Sequence, residues 1–287
     1  MRVTIAQLEV SPDHAANRAV VSQAVTEADR VRADLLVLPE YASGYDPRGV
    51  GIEHAEPLDG PFVTLLRERT ARSSLTVVAG TVLPATEPGP PRDASGAARA
   101  SNAVVVVRGG DVVGVYRKVH LYDAFGQRES DRLVAGDPAA PPVVVEVGDL
   151  RVGVMTCYDL RFPETARRLV DAGAQVLVVP AAWASGPRKV EHWRILAQAR
   201  AIENTCAVVA VGQAGRGVSG HSMLVAPDGL VSIELGEDRA FSTADIDAGG
   251  VLAERERNPS LANRRYGVVP LQAVPDQRRD PGSVSGS

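Results

Sequence analysis

The chain has 287 residues, of which 45% are hydrophobic and 23% are charged, and its formal net charge is -4. This composition is typical of an ordered globular protein and excludes general disorder. The weakly acidic charge, with lysine and arginine scattered along the chain, argues against a nucleic-acid binder, and an aromatic content of 4% argues against a platform that stacks bases.

Strands and helices alternate along the first half of the chain. A strand is predicted at residues 3–8, and Asp13 can cap the helix that follows and ends near Arg32. A short buried strand at 34–38 runs directly into a Pro-Glu dipeptide. The other predicted elements of this half are a helix over 61–72 and strands over 75–79, 103–107 and 111–116, the last two joined by a hairpin turn at 108–110.

The second half repeats this alternation. Pro163 lies in the first turn of a predicted helix that ends near Ala172, and a buried strand over 176–179 is expected to end at Pro180. The remaining predictions are strands over 143–147, 151–155, 206–211, 223–226, 230–234 and 241–246 and a helix over 190–204.

Two similar segments, DLLVLPE at 34–40 and QVLVVPA at 175–181, indicate an internal duplication. Each is a buried strand that stops at proline, follows a helix and leads into a polar loop. Mixed strands with helices predict an α/β chain (α+β by some schemes) with two sheets packed face to face and helices outside. Residues 84–101, rich in Pro, Ala and Gly, are predicted to form a long surface loop, and residues 270–287 a tail.

The chain contains two cysteines, Cys157 and Cys206, which cannot form a disulfide framework. No Cys/His spacing is typical of zinc, so no metal site is predicted, and a reducing cytoplasm is the expected location. The longest apolar run, residues 176–184, is far shorter than the roughly 20 residues that span a membrane. No membrane partner is therefore expected.

Three residues at strand ends are candidates for chemistry. Cys157 stands at a strand-to-helix turn, where a nucleophile is exposed next to free backbone N–H groups that can stabilise an oxyanion. Glu40 follows an apolar strand, where a partly desolvated carboxylate suits a general base. Lys118 follows another strand and could stabilise a tetrahedral intermediate. Considered one at a time, Cys157 could also be a buried core thiol, Glu40 a solvated acid and Lys118 a solvated lysine. Cys206 is assigned to the core.

The contexts of these residues resemble a known family. The segments LLVLPE, YRKVHL and GVMTCYDLRFPE stand in the order typical of the nitrilase, or carbon–nitrogen hydrolase, superfamily, and HWRILAQARAIEN (192–204) and GHSMLVAPDG (220–229) also match. The resemblance implies a four-layer α-β-β-α sandwich over residues 1–270, followed by a tail over 271–287 that is flexible or packed on a partner subunit. It further implies a homodimer or larger homo-oligomer that needs neither a metal nor an organic cofactor.

The resemblance also implies a Glu-Lys-Cys triad. Glu40 would remove the thiol proton, and Cys157 would attack the carbonyl carbon of an amide. Lys118 and the backbone N–H of Tyr158 would stabilise the oxyanion. Ammonia or an amine would leave, and a water activated by Glu40 would hydrolyse the thioester.

Other residues are expected to support the triad or bind the substrate. Glu129 would orient Lys118 or the substrate nitrogen. Arg161 would bind a substrate carboxylate or, alternatively, form an internal ion pair with Glu164 or Asp159. Residues expected to line the pocket are Tyr41, Tyr122, Phe125 and Trp183.

Within the family, CYDLRFPE resembles the amidase branches that include omega-amidases and deaminated-glutathione amidases. The leading hypothesis is therefore an amidase that releases ammonia from a small linear amide, including one that bears a carboxylate. The alternative is an N-carbamoyl amino acid or ureido-acid amidohydrolase, although a single arginine beside Leu160 weakens a two-arginine clamp. Less favoured are a nitrilase, because Tyr158 and Asp159 replace the expected Trp-Glu pair, and a catalytically silent binding protein.

Overall fold

The computed structural model describes residues 1–85, 96 and 98–271. Its strands are β1 (Arg2–Gln7), β2 (Leu35–Val37), β3 (Thr76–Pro84), β4 (Ala100–Arg108), β5 (Asp111–Arg117), β6 (Val144–Val147), β7 (Leu150–Val154), β8 (Val176–Ala181), β9 (Ala207–Gly212), β10 (Met223–Val225), β11 (Val231–Glu234) and β12 (Ala240–Asp245). Its α-helices are α1 (His14–Arg30), α2 (Pro61–Thr70), α3 (Pro163–Asp171), α4 (Lys189–Asn204) and α5 (Ala248–Arg257). None of these helices is long and apolar enough to cross a membrane.

The described strands form two six-stranded sheets with matching topology. Their orders are β12-β1-β2-β3-β4-β5 and β11-β10-β9-β8-β7-β6. In the first sheet β1, β2 and β3 run parallel, with antiparallel β4 and β5 on one side and β12 on the other. In the second sheet β7, β8 and β9 run parallel, flanked in the same way by β10, β11 and β6. The two segments that indicate a duplication, β2 and β8, therefore hold equivalent central places.

The sheets pack face to face because successive residues of a strand point to opposite faces and both faces are apolar. Leu35 and Val37 of β2 join the cluster between the sheets, whereas Leu36 and the following Leu38 pack with α1 and α2. A third cluster, which includes Trp193, joins the second sheet to α3 and α4. The layers are thus helix, sheet, sheet and helix, which confirms the predicted fold class.

The predicted surface loop is shorter than expected at both ends. β3 and β4 pair through Leu83 with Ser101 and Pro84 with Ala100, so these residues belong to a long antiparallel ladder. Predictions for residues 86–95 and 97, and for the tail from residue 272, lie outside the described residues.

Two further differences have local causes. β8 continues past Pro180 to Ala181, because β7 stops pairing at Val154 and no strand needs the missing N–H on that side. Sequence analysis does not predict α5, because two glycines in its first turn have low helix propensity. The Asp247 side chain accepts hydrogen bonds from both of their N–H groups and caps the helix.

Candidate active site

The carboxyl ends of the central parallel strands meet around one cavity of about 330 Å³. Glu40 lies shortly after β2, Cys157 shortly after β7 and Ala182 directly after β8, and all three line the cavity. Lys118 follows β5, and its Nζ contacts the Glu40 carboxylate at this cavity. The duplicated topology therefore brings three strand ends, distant in sequence, to one point.

Glu40 is buried and fully engaged by donors. Its Oε1 accepts hydrogen bonds from Lys118 Nζ at 3.0 Å and from Asn102 Nδ2 at 2.7 Å, and its Oε2 accepts one from the backbone N–H of Ala182 at 2.7 Å. The Gln213 side chain also donates to the Glu40 carbonyl at 2.7 Å. These contacts hold the carboxylate in one orientation and compensate for its burial.

Lys118 lies between two carboxylates and is 1% exposed. Its Nζ is 2.9 Å from Glu129 Oε2 as well as 3.0 Å from Glu40 Oε1. Burial by itself would lower the pKa of Lys118, but the negative charges of Glu129 and Glu40 raise that pKa well above its usual value. The ammonium is therefore permanently charged and fixed in position.

Asn102 and Tyr41 join the two glutamates by a second route. Asn102 Nδ2 donates to the Tyr41 hydroxyl at 2.8 Å as well as to Glu40, and the hydroxyl donates to Glu129 Oε1 at 2.8 Å. Burial and the charges of the two glutamates raise the pKa of Tyr41 well above its usual value, so this hydroxyl remains a donor. The five side chains form one closed hydrogen-bond network.

Cys157 begins a short 3-10 helix, Cys157–Arg161, and has a φ of +46°. A left-handed conformation is strained for a residue other than glycine and is common at functional positions. Burial and the charge of Glu40 raise the pKa of the Cys157 thiol well above its usual value, although Lys118 opposes this shift. The resting group is thus a neutral thiol, next to first-turn N–H groups such as that of Tyr158.

Asp159 ties the cysteine turn to the lysine loop. This buried carboxylate accepts hydrogen bonds from the backbone N–H of Thr156 at 3.0 Å and from the Tyr116 hydroxyl at 2.7 Å. It also lies 2.8 Å from His120 Nδ1. The segment that holds Lys118 is thereby fixed relative to the nucleophile turn.

The structure brings the predicted site residues together. Those that line the cavity are Glu40, Tyr41, Tyr122, Glu129, Cys157, Tyr158, Arg161 and Trp183. Phe125 lies at the rim instead and is 67% exposed. Within the described residues Arg161 pairs with neither Asp159 nor Glu164, and its guanidinium lies 4.9 Å from the centroid of the Trp183 ring.

The positive charge between the two carboxylates of the site comes from a side chain of the protein. Within residues 1–85, 96 and 98–271, no group of three or more His, Cys, Asp or Glu side chains is arranged to hold a metal ion. The cation between the two carboxylates is instead the ammonium of Lys118.

Sequence reasoning misses three residues of the site. Asn102 stands beside Ser101 just before the apolar run at 103–107, and Gly80 is a lone glycine inside another strand, which is a signal of a close backbone approach. Lys189, at the start of α4, gives no such signal, because a lysine at the start of a helix is usually solvated. Only its burial, with 8% exposure, distinguishes it.

Gly80 allows the backbone of Glu40 to lie against β3. A Cβ at this position would lie 2.6 Å from the Pro39 carbonyl oxygen and 2.7 Å from the Tyr41 nitrogen, both backbone atoms that cannot turn aside. We expect Gly80→Ala to displace Glu40 and to lower kcat/KM for amides by about 100-fold, the cost of a misplacement near 1 Å. Gly236→Ala, where a Cβ meets open space, is the matched control. Equal activity of the two variants would contradict this prediction.

Asn102 is expected to act as a positioning residue for both glutamates. Asn102→Leu removes the donor to Glu40 and to the Tyr41 hydroxyl, and we expect kcat/KM to fall by about 10- to 100-fold, as for hydrogen bonds to charged groups. Thr81→Val is the control, because it removes a buried hydrogen bond to Ser43 that does not reach the network. A loss of stability in both variants with a loss of activity only in Asn102→Leu is the expected pattern. Unchanged kinetics of Asn102→Leu would be inconsistent with this role.

The model of the "Carbon-nitrogen hydrolase" family matches residues 2–255. A deaminated glutathione amidase from Escherichia coli O157:H7 is 36% identical over 268 residues, which cover 93% of this chain and 98% of the relative. A deaminated glutathione amidase from Rattus norvegicus is 34% identical and covers 94% of this chain and 85% of the relative. The resemblance to the amidase branch is thereby confirmed.

Solved structures agree with these relatives. A carbon–nitrogen hydrolase superfamily protein from Xanthomonas campestris matches with a TM-score of 0.81 and 26% identity, over 94% of this chain and 99% of that one. A variant of an amidase from Nesterenkonia AN1 matches with a TM-score of 0.72 and 28% identity, over 91% of this chain and 95% of that one. The chain therefore belongs to the carbon–nitrogen hydrolase family and is a cysteine-dependent enzyme that cleaves carbon–nitrogen bonds.

Proposed function

We propose that Glu40, Lys118 and Cys157 are the catalytic residues of an amidase that acts on small linear amides. The observation that carries this proposal is the buried ion pair of Glu40 with Lys118, which places a base and a fixed cation beside a neutral thiol. A neutral thiol is a weak nucleophile and needs an adjacent base. A variant structure of the Nesterenkonia amidase carries an acrylamide adduct at its active-site cysteine, which supports a thiol mechanism.

The proposed reaction proceeds in two steps. Glu40 takes the proton of Cys157 as the sulfur bonds to the amide carbonyl carbon, and the oxyanion is stabilised by Lys118 and the N–H of Tyr158. The carbon–nitrogen bond then breaks, Glu40 returns the proton to the nitrogen, and ammonia leaves. Glu40 next takes a proton from water as the water oxygen bonds to the thioester carbon. The carbon–sulfur bond then breaks, the carboxylic acid leaves, and Glu40 returns the proton to the Cys157 sulfur. Glu129 orients Lys118 throughout.

The substrate is proposed to bear a carboxylate that Arg161 binds. Arg161 lies in the wall of the cavity, and its Nε has no hydrogen-bond partner among the described residues. The relatives named deaminated glutathione amidases support this amidase branch. Leu160 is fully buried in the core, so a second clamp residue at that position cannot reach a substrate. This disfavours the N-carbamoyl amino acid alternative.

Ammonia release from a substrate panel tests the proposal. The panel contains small amides, omega-amides of keto acids, N-carbamoyl amino acids and nitriles. We expect turnover of the amides, and acid quenching during turnover should trap an acyl group on the peptide that contains Cys157, visible by mass spectrometry. Turnover with the acyl group on no cysteine would refute the thioester route. If N-carbamoyl amino acids are turned over fastest, they would replace small linear amides as the proposed substrate class.

We also propose that the protein works in the cytoplasm as a homodimer or larger homo-oligomer. Both cysteines are free thiols, which fits a reducing compartment. α4 and the turn before β11 expose three large apolar side chains, those of Ile195, Ile202 and Leu230. Exposed apolar residues of this kind favour a subunit interface.

A further inference from the structure

The cavity contains two cations that no acid balances. Lys118 is paired within the catalytic network, and three arginines at the mouth each face an acid: Arg48 with Asp46, Arg128 with Asp131 and Arg132 with Glu53. Within the described residues, neither Arg161 nor Lys189 forms an ion pair. The cavity therefore has an excess of positive charge at the end where these two side chains lie.

Lys189 is the more unusual of the two. It is the first residue of α4 and is 8% exposed, yet among the described residues its ammonium, which has three donors, makes a single hydrogen bond, of 2.7 Å to the Tyr122 hydroxyl. Burial and the charge of Arg161 lower the pKa of Lys189. A buried ammonium without an anionic partner is costly, and a bound anion would remove much of this cost.

Two aromatic side chains contact Lys189. The Phe125 ring centroid lies 3.6 Å from Lys189 Nζ and 5.7 Å from Arg161 Cζ, so both charges approach the same ring. The Trp183 indole N–H donates to the Lys189 backbone carbonyl at 2.8 Å and fixes the start of the helix. Lys189 is itself 8% exposed, and a charge with little water around it attracts an anion more strongly.

Lys189 and Arg161 line the same cavity as Cys157. Glu40 and Glu129 flank Lys118 and would repel a second anion there. An acidic substrate would therefore bind with its amide at Cys157 and its acid beside Lys189 and Arg161. This inference rests on the proposed amidase function, because it concerns a substrate of the same cavity.

We propose that Lys189 is a specificity-determining residue, which donates from α4 to the acidic group of the substrate beside Arg161. The experiment compares a monoamide of glutaric acid with its uncharged methyl ester in wild type and Lys189→Met. We expect kcat/KM for the acid to fall by about 10- to 100-fold, as for hydrogen bonds between charged groups, mainly through KM. For the ester, kcat/KM should change by less than about 3-fold, the scatter of a neutral replacement.

Further variants and a binding measurement keep the proposal testable. Lys189→Arg retains the charge and should retain most of the preference for the acid. Calorimetry of glutarate binding gives a readout that needs no turnover, and Lys189→Met should weaken this binding by a similar factor. An equal loss for acid and ester in Lys189→Met would show a structural role and overturn the proposal. If wild type hydrolyses no amide but binds glutarate in a way that depends on Lys189, the amidase function would be refuted and the subsite would stand.

Discussion

Replacing Cys157 with alanine is expected to lower amide turnover by about 10⁴-fold or more, the loss typical when a covalent nucleophile is removed. The reason is that Cys157 is the only thiol among the described residues that line the cavity. The thiol is buried and its pKa is raised, so it enters the reaction only as Glu40 takes its proton. Ammonia release at saturating amide measures the effect.

Cys206 provides the matched control. It is the second thiol of the chain, it is fully buried in the cluster beneath α4, and burial raises its pKa to about 12. Cys206→Ala should cost about 1 kcal/mol of unfolding free energy, as for a small truncation in a core, and leave turnover unchanged. Wild-type activity of Cys157→Ala, or loss of activity in Cys206→Ala alone, would show that the nucleophile is assigned wrongly.

Replacing Lys118 with methionine is expected to damage both activity and stability. The substitution leaves the buried carboxylate of Glu40 and the half-buried carboxylate of Glu129 close together without the cation between them. Breaking a buried pair in this way typically lowers the free energy of unfolding by about 3–5 kcal/mol. Loss of the oxyanion partner should reduce kcat by about 10²- to 10³-fold beyond any effect of unfolding. Denaturant titration and ammonia release measure the two effects separately.

The pH dependence of stability should distinguish wild type from Lys118→Met. In wild type the pKa of Lys118 is raised, so its contribution to stability is fully present below the unfolded pKa near 10.4 and is lost only at higher pH. The variant has no ammonium at this place, so its stability should lack this loss at high pH.

A double variant separates the electrostatic effect from catalysis. Lys118→Met with Glu129→Gln removes one of the two repelling charges, so it should regain stability at pH 8 while remaining inactive. A double variant that is no more stable than Lys118→Met at pH 8 would contradict the assignment of these carboxylates as a charged pair. Recovery of turnover in the double variant would show that Lys118 has no direct part in the reaction.

The fold could be predicted from the sequence because the sequence patterns that indicate its strands and helices are local. Apolar runs such as residues 34–38 and 176–179 are long enough to predict buried strands, and the alternation with helices predicts the layers. The predictions are wrong where tertiary pairing overrides composition. β3 and β4 extend into a Pro- and Ala-rich segment because each supplies the other's backbone partners. α5 forms across two glycines because Asp247 caps it.

The residues of the site also divide into those that the sequence predicted and those that it could not predict. Sequence motifs pointed to Glu40, Lys118 and Cys157 because each directly follows a predicted strand, where side chains meet at one edge of a sheet. Asn102 and Ala182 could not be assigned in this way, because their hydrogen bonds to Glu40 span 62 and 142 residues. The sequence by itself determined the layers through periodicity, and its motifs predicted the reactive groups. Only the tertiary structure decided which donors surround Glu40, and that Lys189 is buried without an acid among the described residues, because burial and long-range contacts arise when separate strands pack.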